Sequence, residues 1–219
     1  MTSPKAGDAA SPQWFVRKSR KAMDIAFYGA IRLVAAILGR KAKHRARDRR
    51  LLDDVILPKL AANSRYARVL FVGCDWYTEH VENLFVSKGR EYTTIEIDPN
   101  RAHHGAGKHI VGGLADLGRH FPPGSLDLIV CNGVIGWGLD DPAEIERSVA
   151  ACVLALSPGA LLLLGWDDVP EKLPIPIEQI QSLRSLERGT PRGFESPLIE
   201  THTYARHTFG FFMKPQASA

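Results

Sequence analysis

A chain of 219 residues, 45% hydrophobic and 24% charged, has the length and make-up of one globular α/β domain with a modest extension, which excludes a fibrous or low-complexity protein. The net charge of +4 conceals an asymmetry. Residues 17–50 hold 12 Lys and Arg against two acids, a net of +10, whereas the rest of the chain holds 16 against 22, a net of −6.

In chain order, residues 1–13 are rich in Ser, Pro, Gly and Ala and read as a disordered tail. Residues 14–50 form a basic and apolar helical arm, in which Met23, Phe27, Ala30, Ile31, Val34, Ile37 and Leu38 cover one side of a helix. Its apolar stretch is short for a membrane span and carries Asp24 and Arg32. The arginine-rich run that follows, without a small-x-small cleavage site, argues against a signal peptide. Three uses of the arm stay open: packing on the body or on a second subunit, lying on an anionic membrane surface, or contacting nucleic acid. The last ranks below the other two, because charge alone seldom marks more than a solvated face. Residues 51–219 are the body. Three widely spaced cysteines (Cys74, Cys131 and Cys152), with no CxxC pair or zinc spacing, point to a reducing, cytoplasmic setting, with the membrane-surface option placing the protein peripherally at its inner face.

Within the body, Leu51, Leu52, Val55, Ile56 and Leu60 have helical spacing. Val69–Gly73 is an apolar run of strand length ending at a glycine. Thr78 is placed to cap the next helix, with Val81, Leu84 and Phe85 buried and Gly89 closing it. Tyr92–Ile97 and His109–Val111 read as strands, and Leu126–Asn132 as a strand buried on both faces. Asp141, Pro142 and Glu144 announce a helix that Ser157-Pro158-Gly159 ends, before a strand at Ala160–Gly165. Three prolines make Val169–Pro176 a loop, and Ile177–Leu186 reads as a short helix. Ile199–Tyr204 and Thr208–Met213 are two extended segments close enough to pair antiparallel.

This order predicts an α/β protein in which ligands sit beyond the carboxyl ends of the strands. Glu96, at the tip of the second strand and 23 residues after Gly73, is placed to accept both ribose hydroxyls of an adenosine. Strand alternation turns Asp98 to the opposite face. A solvated acid at a strand end is the plain alternative. The first turn, Gly73-Cys74-Asp75-Trp76-Tyr77-Thr78, keeps one glycine of G-x-G-x-x-G. Asp75 there repels a pyrophosphate and attracts an ammonium or sulfonium, which disfavours NAD and favours S-adenosylmethionine. Asp75 simply stabilising the helix N-terminus is the structural alternative.

Four segments, Val69–Cys74, Ile95–Pro99, Leu126–Asn132 and Leu156–Leu161, in this order and spacing resemble the class I S-adenosylmethionine-dependent methyltransferases across residues 51–213. The resemblance implies a Rossmann-like three-layer sandwich, with a mostly parallel seven-stranded sheet and an antiparallel last strand. It implies S-adenosyl-L-methionine held by Gly73, Cys74, Asp75, Glu96, Leu114, Ala115, Asp116 and Asn132. Asp75 and Tyr77 stand where that family has glycines, and Gly113 where it has an acid.

Trp76, Tyr77 and Trp137 are then the acceptor-side residues, able to wall a sulfonium by cation–π contact. His80 and Asp168 are the candidates for proton transfer, although His80 also reads as a surface helix histidine. His207 reads as structural. His103, His104 and His109 lack acidic or cysteine partners at metal spacing, so no metal is expected. Asn132-Gly133-Val134-Ile135 resembles the small-molecule branch of the family, and the expected function is methyl transfer to a small-molecule, glycan or lipid-linked acceptor. The alternative is a catalytically silent methyltransferase-like module that binds a partner or membrane through its arm.

Overall fold

A computed structural model describes residues 27–31, 33, 34, 37, 38, 44 and 46–216. The chain divides into two compact units, Met1–Ala42 and Lys43–Ala219. In the first, residues 27–31, 33, 34 and 37 are helical, and Leu33, Val34, Ile37 and Leu38 are exposed. The expected tail at 1–13 and the basic residues Arg17, Lys18, Arg20, Lys21, Arg40, Lys41, Lys43 and Arg45 lie outside the described residues. No described helix is long and apolar enough to cross a membrane.

The second unit opens with one continuous helical stretch: α1 (Arg47–Leu51), a π turn (Leu52–Ile56) and α2 (Leu57–Ala62). Pro58 explains the π turn. It has no N–H for the carbonyl four residues back, and the preceding turn widens so that the Leu57 N–H reaches the Leu52 carbonyl instead. The wider turn also resets the buried face. Leu52, Asp53, Ile56, Leu57, Leu60 and Ala61 point inward, while Val55, expected inside, is 39% exposed.

The strands are β1 (Arg68–Val72), β2 (Glu91–Glu96), β3 (His109–Val111), β4 (Leu126–Asn132), β5 (Leu156–Asp167), β6 (Glu187–Arg188), β7 (Leu198–Glu200) and β8 (His207–Met213). They form one sheet in the order β3-β2-β1-β4-β5-β8-β6, with β7 also on β8. Pairs from β3 through β5 are parallel, and β8 runs antiparallel to β5, β6 and β7. Eight strands replace the seven expected because the outer edge of β8 is shared. β6 pairs with Phe212–Met213 and β7 with Thr208–Gly210, so two short strands fill one edge position. The chain leaves β1 toward β2 and β3, then returns to β4 on the other side of β1. The reversal opens a crevice at the carboxyl ends of β1 and β4.

Two further helices flank the sheet: α3 (Val81–Val86) and α4 (Pro142–Ala155). The Asp141 carboxylate accepts the Glu144 N–H at 2.8 Å, and Pro142 opens the first turn of α4. Thr78 does not cap α3. Its hydroxyl donates to the Asp75 carbonyl at 2.8 Å and accepts the Asp75 N–H at 3.0 Å, closing the turn after β1. Between Ile177 and Ser185 the chain makes two 3₁₀ turns rather than one α-helix. Ile177, Ile180, Leu183 and Leu186 recur every third residue, the period of a 3₁₀-helix, and all four are buried.

Strand alternation splits the core in two. Leu70, Ile129, Leu162 and Leu164 pack against α4, while Phe71, Val130, Leu163, Phe209 and Phe211 pack against α1, α2 and α3. Phe211 is fully buried with Phe194 against its ring at 4.6 Å. Phe211→Ala is expected to cost about 3–5 kcal/mol in urea denaturation, and a loss below about 1 kcal/mol would contradict this packing.

Candidate functional site

A cavity of about 520 Å³ lies at the carboxyl edge of the sheet, within the usual range for small-ligand pockets. Gly73 leaves β1 with φ +84°, a conformation glycine tolerates, and its N–H donates to the Ile95 carbonyl at 2.8 Å. The next N–H, of Cys74, donates to Glu96 Oε2 at 2.9 Å, and the Asp98 N–H donates to Glu96 Oε1 at 2.9 Å. The carboxylate is thus clamped between the β1 and β2 tips. A carboxylate oxygen accepts about two hydrogen bonds, so each retains acceptor capacity. Burial pushes the Cys74 thiol up to about 11, so it stays protonated and is no nucleophile at neutral pH.

The turn after Gly73 carries Asp75, whose Oδ1 accepts the Trp76 N–H at 2.7 Å and whose Oδ2 faces Arg101 Nη1 at 3.5 Å. Tyr77 lies beneath the Arg49 guanidinium, 5.1 Å from its ring centre. Burial, joined by the Asp75 charge, raises the Tyr77 hydroxyl above its ordinary pKa. Arg49 reaches the cavity from α1 and is 6% exposed, with its Nε 3.1 Å from Asp53 Oδ2 and its Nη2 2.8 Å from Asp53 Oδ1. His44 packs edge-on to Tyr77, and burial lowers its pKa. Asp48, Asp75, Glu96, Glu144 and Asp167 face the cavity against two guanidiniums, Arg49 and Arg101, a balance that favours a cationic ligand.

At the other end, Asn132, Asp167 and His207 meet. Alternation places all three on the face shared by Val130, Leu163 and Phe209, and the β5–β8 register sets Asp167 directly opposite His207. His207 Nδ1 lies 2.6 Å from Asp167 Oδ1 and Nε2 2.9 Å from Asn132 Oδ1. Trp137 Nε1–H donates to Asp167 Oδ2 at 3.0 Å, and Lys172 Nζ lies 3.9 Å from the centre of the Trp137 ring. Burial works to raise the Asp167 carboxyl. The hydrogen bond and charge of His207, the indole N–H and Lys172 outweigh it and hold the group below its ordinary pKa.

Of the residues expected at the site, Gly73, Cys74, Asp75, Tyr77, Glu96, Leu114, Asn132 and Trp137 line this one cavity. Ala115 and Asp116 do not; Asp116 faces Arg119 at 3.3 Å, and Gly112 and Gly113, just before them in the chain, line the cavity instead. Trp76 does not line it; its ring meets Tyr77 edge-on at 5.3 Å and lies tilted to His44 at 6.2 Å. His80 lies off the cavity, its Nε2 3.4 Å from Asp53 Oδ2. Asp168 points away and pairs with Arg206 at 3.1 Å. The residues that sequence reasoning passed over are Asp167, Arg49 and His44, and it reads His207 as structural. Counting in twos from Leu163 reaches Asp167 rather than Asp168, and the four-residue spacing of Arg49 and Asp53 marked a helical ion pair. Among the described residues no cluster suited to a metal ion occurs.

No protein-family model and no curated protein matches the chain. Solved structures do. The N-methyltransferase NodS from Bradyrhizobium japonicum WM9, in complex with S-adenosyl-L-homocysteine, aligns at TM-score 0.56 and 16% identity over 78% of this chain and 94% of that one. A TehB-like SAM-dependent methyltransferase from Corynebacterium glutamicum ATCC 13032 aligns at TM-score 0.55 and 16% identity, over 94% and 100% of the two chains. An O-methyltransferase family protein from Burkholderia thailandensis aligns at TM-score 0.51 and 15% identity, over 76% and 57%. The chain therefore has the Rossmann-like fold found in SAM-dependent methyltransferases.

Proposed function

We propose that the cavity binds S-adenosyl-L-methionine and that the protein transfers its methyl group to a small-molecule, glycan or lipid-linked acceptor. The observation that carries this reading is the Glu96 clamp, which holds a carboxylate with spare acceptor capacity beside a glycine turn, in a cavity of nucleoside size. The residues fit the ligand. A Cβ on Gly73 would have no neighbour closer than Glu96 Oε2 at 4.0 Å, so the floor of the turn is open for close approach. Glu96 would accept the two ribose hydroxyls, Gly113 and Leu114 would border the adenine, and Asp75 with the excess of carboxylates would favour the ammonium and sulfonium. When bound, the ligand supplies an electrophilic methyl group on a sulfonium. The turn itself, with Asp75 and Tyr77 in place of glycines, crowds a pyrophosphate and so disfavours a dinucleotide.

The same two residues, with Asp75 already facing Arg101, favour a second reading: a silent methyltransferase-like module. Calorimetric titration with S-adenosylmethionine, S-adenosylhomocysteine and NAD separates the two. Micromolar binding of the first two, about −8 kcal/mol, with NAD inert, is expected. Glu96→Ala is expected to weaken it at least about tenfold, the scale of lost hydrogen bonds to a charged group. Equal affinity in the variant, or no binding by the parent chain, would defeat the methyl-transfer reading.

For the arm we propose an anionic membrane surface, on the strength of its exposed Leu33, Val34, Ile37 and Leu38 and its charge, with contact between two copies as the competing use. Removal of residues 1–42 should release the protein from anionic vesicles and leave ligand binding intact, because the cavity wall begins at His44. Unchanged vesicle binding would rule the membrane role out.

A further inference from the structure

The Asn132–His207–Asp167 group occupies the end of the cavity away from Glu96, and the binding contacts proposed above leave its imidazole unused. Strand order gives its position. Glu96 ends β2, Gly73 follows β1, and Asp167 ends β5, so the group lies two strand spacings from Gly73, roughly 10 Å, on the side opposite the ribose acid. It is a built site. His207 is 4% and Asp167 8% exposed, yet both border the cavity. Gly165 makes their meeting possible. A Cβ there would fall 2.0 Å from Asn132 Oδ1 and 3.1 Å from His207 Nε2, so only a residue without a side chain leaves the gap they fill.

We propose that His207, oriented by Asp167, accepts the proton of the methyl acceptor. The inference rests on the methyl-transfer reading and adds to it the proton-accepting residue and the chemical class of the acceptor. A carboxylate only accepts hydrogen bonds, so the 2.6 Å contact with Asp167 fixes a proton on His207 Nδ1 and leaves Nε2 as the working atom. Nε2 faces the side-chain amide of Asn132 at 2.9 Å. That amide suits both states of the ring: its oxygen accepts from a protonated Nε2, and turned by half a rotation its NH₂ donates to a neutral one. A histidine with a purely structural role needs a partner for one state only. The remaining neighbours are few. The Phe209 ring packs edge-on at 4.8 Å, Lys172 acts on Asp167 and sits over Trp137, and Arg206 and Asp168 are engaged with each other.

A neutral amine or a thiolate attacks a sulfonium methyl without losing a proton first. A hydroxyl is a poor nucleophile until its proton moves, which makes a buried, carboxylate-oriented imidazole the partner of an alcohol or phenol acceptor. The acceptor O–H bond breaks and its proton goes to Nε2. The electron pair left on oxygen forms the bond to the methyl carbon, and the carbon–sulfur pair departs onto sulfur. The Asp167 carboxylate holds the resulting imidazolium until its proton passes to water.

The test is ¹⁵N NMR of the histidine ring nitrogens in the full chain loaded with S-adenosylhomocysteine at neutral pH. The expected result is a neutral His207 ring with its proton on Nδ1 and a bare Nε2. Asp167→Asn should move the neutral proton from Nδ1 toward Nε2, and Gly165→Ala, by displacing the Asn132 amide, should shift the Nε2 resonance while the chain stays folded. A ring protonated on both nitrogens, or one that carries its neutral proton on Nε2, overturns the assignment. Should Asp167→Asn not fold, the parent spectrum and Gly165→Ala decide. Calorimetry on the same samples separates the two levels: a parent chain that does not bind S-adenosylhomocysteine removes the methyl-transfer reading, whereas a binding chain with an inert His207 removes the proton-acceptor assignment alone.

Discussion

The Glu96 carboxylate is the point on which the functional edge of the sheet depends. A charged group 9% exposed must have its desolvation offset, and two backbone N–H groups from different segments do this. One belongs to the turn after β1 and the other to the turn after β2. The same two hydrogen bonds that satisfy the buried carboxylate therefore hold the two turns in place. Gly73, at φ +84°, is what lets the chain bend from β1 so that the Cys74 N–H points at the acid. Loss of the carboxylate removes both the polar feature of the cavity and the tie between its walls.

Most of the fold was legible because it is written in periods. Apolar runs marked β1, β4 and β5, and the Asp141–Pro142 start of α4 has a local hydrogen-bonding cause, so it survived into the structure unchanged. The misses share a different cause. Thr78 had two satisfactory uses, capping α3 or closing the Asp75 turn, and the choice depended on where the chain went next. The widened turn at Leu52–Ile56 follows from Pro58, a signal that was present, but its consequence for Val55 and Asp53 lies in the three-dimensional path of the helix. At the site, Glu96 and Gly73 could be found because both sit on one strand–turn–helix–strand segment. His207 and Asp167 come from strands 40 residues apart in sequence, and only the antiparallel β5–β8 register shows that they face each other.

The basic stretch at residues 40–50 shows how composition misleads when one residue in a run differs from its neighbours. Arg47 and Arg50 are exposed, as a solvated face requires. Arg49 is buried against Asp53, Phe71 and Tyr77 and forms part of the cavity wall. A buried pair of this kind contributes little net stability, since desolvation cancels much of the Coulombic gain. Its presence is better accounted for by position: it fixes a guanidinium over Tyr77, next to the Asp75 turn.

The two ends of the cavity differ in how protons are held, and that difference follows from backbone chemistry. At the Glu96 end the partners are peptide N–H groups, which only donate. At the Asp167 end the partner is an imidazole, whose ring nitrogens can donate or accept, and the indole N–H of Trp137 and the Lys172 charge help hold the Asp167 carboxyl below its ordinary pKa. Parallel strands deliver the first arrangement, because each turn after a strand presents N–H groups at the same edge. The antiparallel β8 delivers the second, because reversal brings the start of that strand, and with it His207, to the edge where the parallel strands end. A sheet of parallel strands alone would place the end of its last strand here, and the imidazole would have to come from a loop. The direction of β8 is thus what lets a residue held by regular sheet hydrogen bonding reach the cavity.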